Sequence, residues 1–491
     1  MSTSVLIQFS LFAALTSIIL LINSLRKDKS KYAHLPFPPG PKPLPIIGNA
    51  LDLPQEREYA TYHEWSKLYG DVIHAQAFGQ HILIINSVDA ARELLDKRSG
   101  IHSDRPHVPM VHDPALMHMD WSFPMMRYDA RWKRHRRLFV QHLNPVAMEA
   151  YSDKILATAH GFLRNVLADP TTFHRSLKHA IGSILLGVVY GYEVLPENDP
   201  FVKLAEDTVT LTTDAISPAW VPGNKFKPYA AKDQGKAVPS VVSKGLAEIT
   251  QTDTPDPEKL DDLMKLGAVM YAAGADTTIT PVQFAILNAI LNPEIQRRAQ
   301  AELNSVLASP DSRAFRLPTF EDMSALPYIT ALMKESLRWV PVQPISLPHA
   351  SLEEDEFRGW RIPKGSIILP NAWTMLHNEA MYKDPFVFRP ERFLRHGDHQ
   401  PEPDPSGMGV FGFGRRACPG DHIAEKVIGI ELASLFAVFN FAPPKDNDGN
   451  DIDLTYATIP GSEFILHTPH YPCSITVRSK IAEERILGTT E

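Results

Sequence analysis

The hydrophobic pattern of the chain begins as a block and then becomes periodic. Residues 5–25 are apolar and uncharged, broken only by Gln8, Asn23 and hydroxyl side chains. A run of about 21 such residues can cross a bilayer core of roughly 30 Å. Arg26, Lys27, Lys29 and Lys31 follow at once, and the positive-inside rule then places the N-terminus in the lumen and the body in the cytosol. A cleaved signal peptide is the alternative, but its basic residues precede a shorter apolar core. Residues 36–45, with six prolines in ten positions, read as a stiff extended strap that holds the body off the membrane. Beyond it, amphipathic periodicity predicts helices over about 130–143, 148–167, 172–191, 262–292, 293–308, 325–339 and 420–439. The β-branched run 82–85 reads as a strand. Segments 341–376 and 455–478 look strand-rich, with turns at Lys364-Gly365 and Pro460-Gly461. The expected architecture is mainly α with small β-sheets at one side. It comprises an N-terminal membrane anchor (1–25), a basic and proline-rich linker (26–48) and a single large domain (49–491).

Composition narrows the function. With 44% hydrophobic and 22% charged residues among 491, the chain is an ordinary globular protein, neither disordered nor polytopic. A net charge of −8 gives no electrostatic reason to expect nucleic acid. Two cysteines, Cys418 and Cys473, exclude a disulfide scaffold and a four-cysteine metal site, and they suit a cytosolic body.

The sharpest chemistry lies in Phe411-Gly412-Phe413-Gly414-Arg415-Arg416-Ala417-Cys418-Pro419-Gly420. A tight, glycine-rich turn delivers one cysteine to the start of a predicted helix, where unpaired N–H groups and the dipole favour an anion. Cys418 is therefore expected to be acidic and able to exist as thiolate. Glycines let the backbone lie against something flat, and Arg416 can meet an anionic group beside it. A thiolate facing a flat, carboxylate-bearing ligand is what an axial cysteine on haem requires. Upstream, Gly407-Met408-Gly409-Val410-Phe411-Gly412 fits a dinucleotide fingerprint but opens no immediate helix, so no such site is expected there. Cys473, in an expected strand, reads as structural.

The pattern Phe411-x-x-Gly414-x-Arg416-x-Cys418-x-Gly420 resembles the haem-binding signature of the cytochrome P450 family, with all five fixed positions filled. Other segments extend the resemblance from the strap to about Val477. Glu335 and Arg338, three apart on one helix face, with Arg392 in Pro390-Glu391-Arg392-Phe393, resemble the family's buried ion triad. Ala273-Gly274-Ala275-Asp276-Thr277-Thr278 resembles its oxygen-activation motif. There an acid beside a hydroxyl on a locally opened helix can relay protons while bulk water is excluded. Gly274 reduces bulk where dioxygen must fit, and Pro281 lacks the N–H that would bond the Thr277 carbonyl. Trp132 and Arg136 match the family's Trp-x-x-x-Arg pair.

The resemblance implies a haem-thiolate monooxygenase binding haem b (iron-protoporphyrin IX), with Cys418 as axial iron ligand. Asp276 and Thr277 would guide protons. Trp132, Arg136, His349 and Arg416 would hold the propionates, with Phe411, Gly414 and Gly420 shaping the cysteine loop. Implied partners are O2, an apolar small-molecule substrate, a membrane and a separate NADPH-cytochrome P450 reductase, for which the cluster Arg127, Arg131, Lys133, Arg134, Arg136 and Arg137 offers a docking face. The endoplasmic reticulum membrane, spanned once with the catalytic domain cytosolic, is the expected location. The strap most resembles fungal microsomal members of the O-methylsterigmatocystin oxidoreductase type, which implies terpenoid, polyketide or aromatic xenobiotic substrates in secondary metabolism or detoxification. Residues 117–126, 342–347 and 459–464 would wall the substrate pocket. One interval departs from the pattern. Between a helix ending near Thr212 and the long helix near Leu260 the chain has only about 45 residues, interrupted by Pro218, Pro222, Pro228, Pro239, Pro255 and Pro257, too few for the family's two lid helices at about 1.5 Å per residue. Two alternatives stay open: a haem-thiolate isomerase or dehydratase needing no reductase, and a haem-binding membrane protein impaired by its shortened lid.

Overall fold

The computed structural model describes residues 30–195, 199–203, 240–249, 256–395, 397, 400–458 and 465–489. The expected anchor, the helix end near Thr212, most of the shortened interval and the wall at 459–464 lie outside them. Among the described residues no helix is long and apolar enough to cross a membrane.

Helices dominate. The longer ones are α1 (Glu58–Tyr69), α2 (Ala130–Leu143), α3 (Ser152–Ala168), α4 (Phe173–Tyr190), α5 (Val241–Ile249), α6 (Pro257–Thr277), α7 (Ile279–Leu291), α8 (Pro293–Leu307), α9 (Pro327–Trp339), α10 (Asp421–Val438) and α11 (Lys480–Leu487). Local chemistry sets their starts. The Asp129 carboxylate accepts the Trp132 N–H to cap α2, and Asp256 caps α6 through Glu258, with Pro257 opening its first turn. The predicted continuous helix over 262–292 is in fact two, since Thr278 separates α6 from α7. Pro281 cannot donate to the Thr277 carbonyl, so the break falls where the missing N–H puts it. Helices α7 and α10 are apolar around most of their circumference and form the centre of the main core.

Eight short strands accompany them among the described residues. Strands β1 (Val72–Ala77), β2 (Gln80–Ile85), β3 (His349–Ala350) and β6 (Ile367–Pro370) form a sheet in the order β1-β2-β6-β3. The hairpin β4 (Asp355–Phe357) with β5 (Trp360–Ile362) and the pair β7 (Phe439–Ala442) with β8 (Ser474–Val477) complete the set. Strand β2 pairs antiparallel with β1 and parallel with β6. Among its described residues, segment 455–478 carries far less strand than expected, a 3-10 turn at Thr455–Thr458 and β8 alone, and the expected turn at Pro460-Gly461 lies outside them. Cys473 sits just before that strand. The backbone at 466 is bonded elsewhere, Leu466 N–H donating to the Val342 carbonyl at 2.8 Å, so it enters no ladder.

The strap is more than a spacer. His74 N–H donates to the Pro39 carbonyl and Arg361 N–H to the Pro36 carbonyl, while the Phe37 ring stacks on His74 at 4.5 Å. The linker expected over 26–48 is thus, at 36–40, seated on β1 and β5.

Behind the site, Glu335, Arg338 and Arg392 meet as expected. Arg338 Nε donates to Glu335 Oε2 at 2.7 Å, and Arg392 Nε lies 3.0 Å from the same oxygen, all three side chains being fully buried. Further Arg338 and Arg392 donors end on the Leu376 and Val387 carbonyls. The triad ties α9 to the segment preceding the cysteine loop.

Candidate haem-thiolate site

The site is a cavity of about 410 Å³ roofed by α4 and α6 and floored by the cysteine loop and the start of α10. Its lining is chiefly apolar. Met117, Met119, Trp121, Phe123 and Met125 from the expected wall reach it, as do Val342, Gln343, Ser346 and Leu347. Met126 is buried behind them and gives its carbonyl to Arg416.

On the floor, Cys418 is exposed to this cavity. Its N–H donates to the Phe411 carbonyl at 2.8 Å, closing the turn. Its Sγ accepts the Gly420 N–H at 3.4 Å. Phe411, Gly412, Pro419 and Gly420 line the cavity with it. Gly414 does something else: it lies outside the lining, at φ 59°, and a Cβ there would sit 1.9 Å from the Leu95 carbonyl oxygen. It is needed for the loop to seat on the protein rather than on a ligand. The expected acidity of the thiol is not met by the polypeptide alone. Burial pushes the Cys418 thiol above its ordinary value and the Asp421 charge adds to this, outweighing the Gly420 N–H and Arg136. A cation on the sulfur would favour the thiolate here.

Beside the cysteine lies a crowded cationic corner. Arg416 donates through Nε to the Ser103 carbonyl and through Nη2 to that of Met126, while its Nη1 is buried without a partner. Its guanidinium lies 4.4 Å from the Trp132 ring centre, and Trp132 Nε1 is likewise buried and unpartnered. Burial and the charge of Arg105 bring Arg416 down to about 8; burial brings Arg105 to about 9. Arg105 lines the cavity and braces its wall through the Pro124, Leu347 and Pro348 carbonyls. Sequence reasoning missed it, although a lone arginine at Asp104-Arg105-Pro106 was the signal. His349 lines the cavity too, with Nδ1 donating to the His102 carbonyl at 2.8 Å. Burial, then Arg105, push it well below its ordinary value, so its Nε2 donates to an anion only once that anion is in place. Arg136 is not brought to the cavity: its Nη1 donates to the Ala417 carbonyl at 2.6 Å, bracing the loop from behind.

On the roof, Thr277 lines the cavity and its hydroxyl donates to the Ala273 carbonyl at 2.8 Å. Gly274 lines it as well, and a Cβ there would meet Leu185 Cδ1 at 2.9 Å, so a larger residue would have to displace the tip of Leu185 on α4. Asp276 does not line the cavity; its Oδ2 lies 3.3 Å from His467 Nε2.

The basic cluster on and before α2 is largely spent within the chain. Arg127 pairs with Asp104, Arg131 with Asp120, and Arg134 with Asp262 and Glu258. Lys133 and Arg137 are exposed without an acidic partner among the described residues.

This geometry, a cysteine under an apolar chamber with unpartnered donors beside it, agrees with the comparisons. The sequence profile of the family described as Cytochrome P450 matches residues 38–251 and 243–467. The chain belongs to the cytochrome P450 family. The two matched stretches meet at 243–251, within the interval that reads as shortened. The cytochrome P450 monooxygenase COX1 of Coprinopsis cinerea is 36% identical over 95% of this chain and 96% of its own length. A cytochrome P450 monooxygenase of Armillaria gallica is 37% identical over 95% and 97%, and cytochrome P450 monooxygenase 208 of Postia placenta 36% over 98% and 97%. The protein is accordingly an oxidoreductase of the P450 monooxygenase type, a family that binds haem through a cysteine thiolate. The residues present fit that group. Sγ opens onto the chamber, and Arg416, which lines it with buried Arg105, keeps Nη1 orphaned, while Trp132, outside the lining, lies against that guanidinium with its own Nε1 orphaned; these donors lack only an anion of the kind a propionate supplies.

Proposed function

We propose that this P450 inserts one oxygen atom of O2 into a lipophilic small molecule, a terpenoid, polyketide or aromatic xenobiotic, in fungal secondary metabolism or detoxification. Electrons come from NADPH through a separate reductase. The observation that carries the reading is Cys418 Sγ opening onto an apolar cavity beside two orphaned buried donors. Bound haem supplies the iron at which dioxygen is activated. Cys418 holds that iron as thiolate. Trp132, Arg416 and Arg105 bind the propionates, His349 joins them as imidazolium, and Arg136 fixes the loop. Phe411 and Gly420 shape the floor, and Gly414 lets the loop seat. Thr277 presents its hydroxyl to the chamber and Asp276 stands as the acid of the pair on the solvent side of the helix break, while the methionine and aromatic wall excludes water. The proton-handling pair favours oxygen insertion over an isomerase or dehydratase, which needs no protons delivered there.

Residues 5–25 anchor the protein once in the endoplasmic reticulum membrane, leaving the body cytosolic. Lys133 and Arg137 are the α2 cations left to meet an acidic reductase. The deciding measurement is the carbon monoxide difference spectrum of the dithionite-reduced protein in microsomes, beside Cys418→Ala. A red-shifted thiolate Soret band in wild type, lost in the variant, is expected. A well-expressed wild type without the band overturns the reading.

A further inference from the structure

We propose that His467 is a positioning residue for the acid Asp276, holding its carboxylate on the solvent side of the helix break and returning protons to it. This rests on the assignment of Asp276 to proton handling given above.

The placement of hydrogens follows from the partners. The Asp276 carboxylate can only accept, so His467 Nε2, 3.3 Å from Oδ2, carries a proton. Thr280 Oγ1 lies 3.2 Å from the Leu466 carbonyl and 3.4 Å from His467 Nδ1. The Thr280 hydroxyl donates to the Leu466 carbonyl. The oxygen then remains to accept from Nδ1–H. A ring with an acceptor at each nitrogen is set up to be imidazolium.

Exposure gives the pair a direction. The His467 side chain is 37% exposed and that of Asp276 17%. Thr277, one residue and about 100° further around α6, faces the cavity instead. A proton leaving Nε2 for Asp276 Oδ2 yields a neutral imidazole and a carboxylic acid. Water on the exposed side reprotonates the ring, so protons balance and no electron moves.

The backbone carrying His467 is fixed to the same break. Leu466 N–H donates to the Val342 carbonyl, Thr468 Oγ1 to Gln283 Oε1 at 2.7 Å, and Tyr471 Oη to the Gln283 carbonyl at 2.7 Å. Thr280 and Gln283 stand in the first turns of α7, where Pro281 interrupts the ladder. The residues that hold segment 466–471 thus also hold the imidazole opposite Asp276.

The test uses the full chain in phospholipid with NADPH-cytochrome P450 reductase and O2, without added substrate. Oxygen is then reduced to peroxide with two protons or to water with four, and either route draws on proton supply. His467→Phe, His467→Gln and Asp276→Asn are compared with wild type, each first shown to give the carbon monoxide band and an unchanged thermal midpoint. His467→Phe is expected to slow NADPH oxidation roughly tenfold and to raise its solvent deuterium isotope effect. His467→Gln, which keeps an N–H donor but cannot return a proton, should recover only part of the rate. In the reduced carbonyl form near neutral pH, histidine 15N spectra should show both ring nitrogens of His467 protonated in wild type, with one proton lost in Asp276→Asn. Equal rates and isotope effects in His467→Phe and wild type overturn the proposal, as does a ring signal indifferent to Asp276→Asn. A wild type without the carbonyl band overturns the underlying haem reading instead, so the two failures are distinct.

Discussion

At the scale of single residues, the site is built from groups that the protein leaves incomplete. Arg416 and Trp132 each keep a buried donor without an acceptor, and the Cys418 thiol is held above its ordinary value. All three are anomalies of the polypeptide that a carboxylate-bearing, iron-centred ligand removes together. Glu431 is a different case. It is fully buried in α10, both oxygens lack a partner, and burial alone raises its carboxyl to about 8. Its role is not proton transfer to the cavity, whose lining it does not join. The folded state holds a proton there that the unfolded chain releases near 4.5. Stability is therefore lost as pH rises from about 4.5 to about 8, by a sum on the order of 4 kcal/mol. Glu431→Gln keeps the shape without the charge. Its thermal inactivation midpoint at pH 8.5 should exceed that of wild type by a few degrees, and the two should converge near pH 5. Equal midpoints at pH 8.5 would refute the assignment.

Among the secondary-structure elements, what was legible in the sequence and what was not divides by the range of the forces involved. Helix α2 runs Ala130–Leu143, as its periodicity predicts, and α10 and α4 fall within one residue of theirs. Each is set by an amphipathic or apolar stripe and a nearby cap or breaker, signals that lie inside the element. Segment 455–478 misled because its apolar and β-branched residues suit a strand, while its partners at 466–471 are side chains and carbonyls of α7 and of residue 342. No local pattern announces such partners. The same reason hid His467, 191 positions from Asp276, and Arg105, whose partners lie at Pro124, Leu347 and Pro348. It also made the basic cluster look freer than it is, because Asp104, Asp262 and Glu258 come from other elements. The ion triad was the exception, since two members share one helix face and the third follows in a short motif. Arg392→Leu leaves Glu335 with only Arg338 and the Arg389 N–H in a fully buried setting. The loss should be roughly 3–5 kcal/mol, read as a lowered thermal midpoint and a carbonyl band that converts to the form absorbing without thiolate ligation. An unchanged midpoint would mean that the remaining arginine satisfies the carboxylate.

For the molecule as a whole, the proposed anchor raises the question of how a membrane would feed an apolar chamber. The strap leaves the described body beside the four-stranded sheet, with Pro36 and Pro39 bonded to Arg361 and His74. Ten residues, four of them lysine or arginine, separate the apolar run from this contact, so an N-terminus anchored as proposed would hold the sheet side of the body close to the bilayer. A lipophilic substrate dissolved in that bilayer then need not cross much water to reach the chamber. Two separate supports follow from the proposed arrangement: the strap positions the body through backbone bonds, while residues 5–25 would supply the attachment. They can be separated by truncation. A chain beginning at residue 30 keeps the strap, the sheet and the cysteine loop, and should give the carbonyl band at full intensity. It should move from the carbonate-resistant membrane pellet, where the full chain is expected, to a fraction released by high salt or carbonate. Turnover of apolar compounds presented in vesicles should fall more than turnover of the same compounds presented in detergent micelles. If the full chain is itself extracted by carbonate, residues 5–25 do not span the bilayer, and the strap must be read as a brace of the catalytic body alone.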